Sequence, residues 1–285
     1  MSKEIILGAM MFGWKISLLD AIRITDYAVD KGVNILDTSP SYGDGLSELI
    51  CAHLLRRHTA LKISTKFSIN NVLLSPDFEL YIEGLCYQRL SLLGKERLDY
   101  FVLHSDNNID DIDALCRAIF NLKTKGMVDH FFISNSSIET YLKILKFEED
   151  NSVLILDGLQ LKKNLLFEDV LFDIAPYKYS EIIFTYSPLC EGVLTGKYLH
   201  LTCTPQLSRI SEVTRNLDYY SALLSAEMNS KVVCFQQIAK AQGLTLLEYS
   251  YRYVLSLNKV TAIIIGPSSL QQAVVAINCA NSFSE

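Results

Sequence analysis

Short apolar runs alternate with segments of helical spacing along almost the whole chain. Eight of these runs have the length and composition of buried strands, and each is followed by a helical pattern, directly or after a loop. The strand candidates are residues 5–8, 33–36, 61–67, 98–105, 131–135, 154–161, 182–186 and 262–265. Continuous apolar strands that alternate with helices indicate a parallel sheet covered by helices on its faces. Eight such units without a linker predict one closed α/β domain over residues 1–285, a (β/α)8 TIM barrel.

An open, doubly wound sheet is the alternative fold. It would be expected to carry a G-x-G-x-x-G turn after the first strand, and the segment from Gly8 to Gly13 does not supply one. Helices are predicted over residues 222–241, 246–257 and 270–280, and Ser75-Pro76-Asp77 predicts the start of another. Residues 190–220 show no period and are predicted to form a long loop.

Composition and charge exclude several classes of protein. Hydrophobic residues make up 49% of the 285 residues and charged residues 20%, which is typical of a globular chain with a large core. A net charge of -6 argues against a nucleic-acid partner. No apolar segment is long enough for a membrane span or a signal peptide, so we expect a cytoplasmic protein without a membrane partner. The oligomeric state is not predicted by any feature of the sequence.

Ionisable side chains stand at the ends of three consecutive predicted strands. Asp37, Lys66 and His104 occupy these positions, and Tyr42 lies in the loop just after Asp37. In a barrel the carboxyl ends of all strands meet at one mouth, so we expect the four side chains to converge. The segment from Asp37 to Pro40, taken alone, is equally typical of a simple turn.

The four residue types suit delivery of a proton to a carbonyl oxygen. An ammonium beside a tyrosine favours the phenolate and lowers its pKa from about 10, so Tyr42 beside Lys66 would exchange protons near neutrality. Asp37 would orient Lys66, and His104 would hydrogen-bond the substrate oxygen. No metal-ligand spacing is present, so a nicotinamide is the simplest source of electrons. A Schiff base on Lys66 is a further alternative, but it leaves Tyr42 without a role.

These residues belong to a longer series of motifs that resembles the aldo-keto reductase family. The matching segments, in order along the chain, are Asp37-Thr38-Ser39 with Tyr42-Gly43 and Ser47-Glu48, Ser64-Thr65-Lys66, Leu98-Asp99-Tyr100 with Leu103-His104, Ile133-Ser134-Asn135, Gln160, Tyr186-Ser187-Pro188-Leu189, Gly192 through Tyr198, and Ile265-Gly266. The resemblance implies a barrel that reduces an aldehyde or ketone with NADPH. It also implies that Asp37, Tyr42, Lys66 and His104 form the catalytic tetrad, with Tyr42 as the general acid.

The same resemblance implies the residues that bind the cofactor. Ser134, Asn135 and Gln160 would bind the nicotinamide carboxamide, and Tyr186 would stack on its ring. The remaining cofactor-binding residues that it implies are Ser187, Leu189, Gly192, Lys197, Gly266, Ser268 and Gln272. Other roles fit some of these residues equally well, since Ser134 and Asn135 are typical of a helix cap and Tyr186 of a core position.

One segment departs from the family pattern. Residues 266–273 contain no Lys or Arg, although the family usually holds the adenosine 2'-phosphate there with basic side chains. The loss of these charge-assisted contacts weakens the case for NADP over NAD. Because NADP is the usual cofactor of the family that the chain resembles, we expect NADP as the cofactor, with NAD as the alternative. Trp14 is expected to line the substrate pocket or to cover the barrel rim. The alternative function is a nicotinamide-binding barrel without turnover that acts as a sensor or a regulatory subunit.

Overall fold

Parallel strands close into a barrel in the computed structural model, which describes residues 3–69, 78–107, 109–174, 182–199 and 217–283. Neighbours along the chain are neighbours in the barrel, and the last strand pairs with the first. The strands are β1 (Glu4–Gly8), β2 (Ile35–Asp37), β3 (Lys62–Phe67), β4 (Leu98–Leu103), β5 (Val128–Ser134), β6 (Gly158–Lys162), β7 (Ile182–Tyr186) and β8 (Ala262–Ile265). The predicted (β/α)8 TIM barrel is thereby confirmed.

Helices cover the outside of the barrel. Within the described ranges they are α1 (Leu18–Asp30), α2 (Leu46–Arg57), α3 (Phe78–Leu93), α4 (Ile112–Thr124), α5 (Ile138–Asn151), α6 (Val170–Ile174), α7 (Leu217–Leu223), α8 (Ala226–Ala241), α9 (Leu246–Leu255) and α10 (Leu270–Asn281). Short 3-10 helices follow β2 and β7, at Tyr42–Gly45 and Cys190–Thr195. The largest apolar cluster lies between the strands and this helical layer.

A separate apolar cluster fills the inside of the barrel. Its buried members stand at alternate positions of their strands: Ile6, Ile35, Tyr100, Val102, Phe132, Phe184, Ala262 and Ile264. The rings of Tyr100, Phe132 and Phe184 lie 4.9–5.5 Å apart between centroids in tilted and edge-to-face contacts. The barrel interior is therefore a packed core, and a site has room only at the mouth.

Gly158 makes this aromatic packing feasible. A Cβ atom at this position would lie 2.5 Å from the Phe132 ring and 2.2 Å from the carbonyl oxygen of Ile182. A larger residue would therefore collide with both a core ring and the neighbouring strand.

Alternate side chains of a strand point into the barrel, and along several strands these inward-pointing side chains change from apolar in the core to polar at the mouth. Asp37 stands two residues after Ile35, Ser134 two after Phe132, and His104 two after Val102. The strand register brings these positions together, since Asp37 pairs with Ser64 and Ser134 pairs with Gln160. Polar side chains thus collect at the carboxyl ends of the strands.

Several strands differ from their predicted bounds by one to three residues at an end, and the sixth strand and the helix predicted over 222–241 differ by more. The sixth strand begins at Gly158, because the amides of Ile155 and Leu156 bond to the carboxylate of Glu148 at 2.7 Å instead of joining the sheet. The helix predicted over 222–241 is divided between α7 and α8, because the Ser225 side chain caps α8 by accepting from the Met228 amide.

The loop predicted over residues 190–220 is wrong at both ends. The 3-10 helix Cys190–Thr195 occupies its start, and α7 covers its last residues. Residues 200–216 lie outside the described part of the chain, as does the helix start predicted at Ser75-Pro76-Asp77.

Candidate active site

A buried ion pair lies at the base of the barrel mouth. The Lys66 ammonium donates to the Asp37 carboxylate at 2.6 Å and to the Thr38 carbonyl at 2.9 Å, and both side chains of the pair are nearly inaccessible to solvent. The other Asp37 oxygen accepts from the Ser64 hydroxyl and the Gln160 amide, each at 2.8 Å. Because both carboxylate oxygens are hydrogen-bonded, the Asp37 side chain is held in one orientation and in turn orients Lys66.

Tyr42 lies against this ion pair. The Lys66 nitrogen is 5.0 Å from the centroid of the Tyr42 ring, and the two side chains are hydrogen-bonded. Burial disfavours the charge on Lys66, but Asp37 and Tyr42 outweigh it and raise the pKa of Lys66. Lys66 is therefore a permanent cation beside the Tyr42 hydroxyl at neutral pH.

The chain around Tyr42 is shaped by a series of residues with positive φ. Gly43, Asp44 and Gly45 have φ values of 56°, 53° and 91°. A Cβ atom on Gly43 would lie 3.0 Å from the Phe12 carbonyl oxygen, so the turn packs directly against the loop after β1. This turn holds Tyr42 over the mouth.

His104 completes the predicted group. Its ring lies 5.9 Å from the Tyr42 ring in an edge-to-face arrangement, and its Nδ1 is 3.2 Å from the Ser39 hydroxyl oxygen. Burial, reinforced by the Lys66 ammonium, lowers the pKa of His104 to about 4. The imidazole is therefore neutral at physiological pH, with one proton on one of its two nitrogens. The structure brings all four predicted catalytic side chains together.

A cavity of about 650 Å³ opens from these residues toward β8 and α10. Asp37, Tyr42 and His104 line it at the strand ends, and Val275 and Ala276 line it from α10. Lys66 lies behind Asp37 and does not line the cavity. A cavity of this size with a few polar, ionisable groups in its lining is typical of a ligand site.

The residues predicted for the nicotinamide carboxamide all line this cavity. The Asn135 amide donates to the His104 carbonyl at 2.9 Å and accepts from the Tyr186 hydroxyl at 2.7 Å. Asn135 has a φ of 47°, which turns the chain sharply after β5. Gln160 donates to Asp37, so it is joined to the ion pair in a way that the sequence did not predict. Burial raises the pKa of Tyr186 well above its usual range, so its phenol stays protonated.

The loop after β7 forms one wall of the cavity. Its predicted residues Ser187, Leu189, Gly192 and Lys197 are all in the lining. Gly192 has a φ of 90°, and a Cβ atom there would lie 3.0 Å from Cε and Nζ of Lys197. The glycine therefore leaves the space in which the lysine lies, and partial burial lowers the pKa of Lys197. This lysine is a ready partner for an anionic group in the cavity.

The wall at α10 is neutral. Gly266, Ser268 and Gln272 line it as predicted, and the Gln272 side-chain oxygen accepts from the Ser268 amide and hydroxyl at 2.9 Å and 2.7 Å. The polar groups of Ser268 and the side-chain oxygen of Gln272 are therefore hydrogen-bonded to each other. No Lys or Arg of α10 faces the cavity, because none occurs between residues 262 and 283.

Some lining residues were not singled out in the sequence. Trp14 is 40% exposed and outside the lining, whereas Met10, Met11 and Lys15 of the same loop are in it. The prediction that Trp14 binds substrate thus has no support from the cavity. Leu247 and Tyr251 of α9 also line the cavity, and their spacing of four residues on a predicted helix is the signal that could have placed them on a shared face.

The described ranges contain no group of three or more His, Cys, Asp or Glu side chains placed to hold a metal ion. None of their helices is long and apolar enough to cross a membrane.

Comparisons with known proteins agree on one family. The model of the family described as "Aldo/keto reductase family" matches residues 4–283. The "Uncharacterized oxidoreductase YqkF" of Bacillus subtilis is 25% identical over 98% of this chain and 87% of its own length. "Protein tas" of Escherichia coli is 25% identical over 93% of this chain and 86% of its own length.

A solved structure extends this similarity to three dimensions. The glycerol dehydrogenase AKR11B4 from Gluconobacter oxydans superposes with a TM-score of 0.74 at 26% identity. The similarity covers 96% of this chain and 85% of that one. Fold and sequence therefore point to the same family of oxidoreductases.

Proposed function

The chain belongs to the aldo-keto reductase family of oxidoreductases, and from this premise we propose that it reduces an aldehyde or ketone to an alcohol with a nicotinamide cofactor, NADPH or NADH. The proposal includes Tyr42 as the general acid. The substrate class is a small carbonyl compound, in keeping with the family.

A single observation carries this proposal. Asp37, Lys66, Tyr42 and His104 come from separate strand ends and loops, yet they form one connected group at the end of a large cavity. A buried ion pair of this kind is weak support for stability, because desolvation offsets most of the attraction between the charges. Its contact with a tyrosine that faces the cavity is instead what proton transfer requires.

Each of the four side chains has a distinct task. Tyr42 gives its phenolic proton to the carbonyl oxygen, and Lys66 stabilises the negative charge that remains on the phenol. Asp37 keeps Lys66 charged and in place. His104 donates a hydrogen bond to the same carbonyl oxygen and so fixes the position of the substrate.

The cavity residues fit a nicotinamide dinucleotide. Ser134, Asn135 and Gln160 offer hydroxyl and amide groups beside Tyr42, and Tyr186 offers a ring on the same wall. Lys197, in the space left by Gly192, offers a cation for the pyrophosphate. A dihydronicotinamide bound there would supply a hydride for the carbonyl carbon, and Tyr42 would supply the proton that completes the alcohol.

Substitution of Tyr42 tests the proposed role. The purified protein is expected to oxidise NADPH or NADH with a panel of reactive aldehydes and ketones, and Tyr42→Phe should lower kcat by at least about a hundredfold. The cofactor should bind this variant with unchanged affinity, because the ring remains. Tyr87→Phe, at a tyrosine exposed on α3, is the matched control. Full activity of Tyr42→Phe would show that Tyr42 is not the general acid.

A titration with NADPH or NADH, followed by the carbonyl panel, distinguishes an active enzyme from the alternative, a binding protein without turnover. Quenching of intrinsic fluorescence by the dinucleotide, without oxidation by any member of the carbonyl panel, is the result that the alternative requires. The connected tetrad favours the enzyme, because mere binding of a dinucleotide does not need a buried Asp37–Lys66 pair in contact with Tyr42.

A further inference from the structure

Ser39 follows β2 and lies beside His104, and its side chain is wholly buried. Its hydroxyl oxygen is 3.2 Å from Nδ1 of His104 and 3.0 Å from the hydroxyl oxygen of Ser41, and it accepts from the Ser41 amide at 3.3 Å. Ser41 is exposed. The three side chains therefore form a chain of hydrogen bonds that leads from the protein surface to the histidine.

The backbone hydrogen bonds of His104 do not determine which nitrogen of its ring is protonated. Its amide donates to the Phe67 carbonyl at 2.8 Å, and its carbonyl accepts from Asn135 at 2.9 Å. These bonds fix where the residue lies, but not which ring nitrogen carries the proton. The direction of the hydrogen bond at Nδ1 makes that choice, because a neutral imidazole has one donor nitrogen and one acceptor nitrogen.

Two arrangements of protons are consistent with the distances. In the first, Ser41 donates to Ser39 and Ser39 donates to Nδ1, which leaves the proton of the ring on Nε2. In the second, Nδ1 donates to Ser39 and Ser39 donates to Ser41, which leaves Nε2 as an acceptor. A carbonyl oxygen has only lone pairs to offer, so His104 binds it only in the first arrangement.

We propose that Ser39 is a positioning residue that donates its hydroxyl proton to Nδ1 of His104, so that the neutral ring carries its own proton on Nε2 and presents it to the carbonyl oxygen of the substrate. The catalytic part of this inference rests on the proposed function, whereas the tautomer is a property of the protein without substrate. Ser41 supports the arrangement from the surface but is not required for it, since water can replace its hydroxyl as a donor to Ser39.

Nitrogen NMR of the histidine rings tests the tautomer directly. In ¹⁵N-labelled protein at pH 7, the His104 signals, assigned by their loss in His104→Gln, should show Nδ1 unprotonated and Nε2 protonated. Ser39→Ala should shift the Nδ1 signal, because the hydroxyl donor is gone, whereas Ser41→Ala should leave the ring in the same tautomer. A protonated Nδ1 in the unsubstituted protein would overturn the proposal, whether or not the protein reduces any carbonyl.

Kinetics test the consequence. Ser39→Ala should lower kcat about 5- to 10-fold, as expected for one lost hydrogen bond, without a change in the Kd of the cofactor. Ser39→Thr keeps a hydroxyl and should restore most of the activity, and Ser41→Ala should change kcat less than twofold. An unchanged kcat in folded Ser39→Ala would overturn the positioning role. If Ser39→Ala does not fold, the tautomer of the unsubstituted protein still decides the proposal.

Discussion

Replacement of Asp37 by Asn should expose the energetics of the buried ion pair. Asp37 accepts hydrogen bonds from Lys66, Ser64 and Gln160 at 2.6, 2.8 and 2.8 Å, so an amide in its place turns one of these oxygens into a donor. Whichever way this amide is turned, Lys66 loses its anionic partner and keeps the Thr38 carbonyl and Tyr42 as neighbours. Loss of one partner from a buried pair costs about 3 to 5 kcal/mol, because the other charge stays buried.

Release of the proton from Lys66 sets an upper limit to this loss of stability. An unfolded lysine has a pKa of about 10.4, so release of its proton at pH 7 costs about 5 kcal/mol at most. If the charged state costs more than that, Lys66 becomes neutral. The free energy of unfolding of Asp37→Asn should therefore fall by about 3 to 5 kcal/mol at pH 7.

The loss of stability caused by Asp37→Asn should become smaller as the pH rises. In the unsubstituted protein the raised pKa of Lys66 contributes stability that is present below its unfolded pKa and is lost as the pH rises through the folded pKa. Without Asp37, burial lowers the pKa of Lys66, so the folded variant binds fewer protons than the unfolded chain. The variant therefore gains stability as the pH rises toward about 10.4, and the difference between the two proteins shrinks.

Urea unfolding followed by circular dichroism at pH 7.0, 8.5 and 9.5 measures this difference. Ser64→Ala is the control, because it removes one hydrogen bond to Asp37 without a change of charge and should cost about 1 kcal/mol at each pH. Adding Lys66→Met to Asp37→Asn should recover part of the lost stability, since it removes the unpaired cation. A cost below about 1 kcal/mol, or one that does not vary with pH, would refute the reasoning.

Three further predictions follow from other parts of the molecule. His104 has its pKa lowered to about 4, so its contribution to stability is present above its unfolded pKa of about 6.5 and should be lost, by a few kcal/mol, as the pH falls toward 4; urea unfolding should show a weaker loss for His104→Asn. Gly158→Ala should lower the free energy of unfolding by about 2 to 3 kcal/mol through its clash with the Phe132 ring, whereas Gly84→Ala, whose Cβ meets nothing within 4 Å in α3, should not destabilise the protein. Calorimetric Kd values for NADPH and NADH should agree within about tenfold, because the described wall at Ser268 has no cation for a third phosphate; a preference for NADPH above about a hundredfold would contradict this.

Local pattern was sufficient for most of the fold. The strands at Ile182–Tyr186 and Ala262–Ile265 have the predicted bounds, because an uninterrupted apolar run of strand length is typical of a strand with both faces covered. The same signal was misleading before Gly158. Ile155 and Leu156 are buried there, but their amides bond to the Glu148 carboxylate instead of a neighbouring strand, and no feature of the sequence shows the partner of a backbone amide.

The sequence by itself determined which side chains reach the mouth of the barrel. The period of two and the end of each apolar run place Asp37, Lys66 and His104 at strand ends, and the closure of a parallel barrel then brings the strand ends to one side. Tyr42 follows from its place in the loop after β2.

Only the tertiary structure decided how these side chains are connected. Gln160 donates to Asp37 from 123 positions away along the chain, and the link between Ser39 and His104 spans 65 positions. Such contacts depend on strand register and on the directions of side chains, which local sequence does not encode. Residue types at strand ends therefore predict a proton-transfer site, whereas the pKa of His104 and the partner at its Nδ1 are set by burial and by neighbours that only the folded chain supplies.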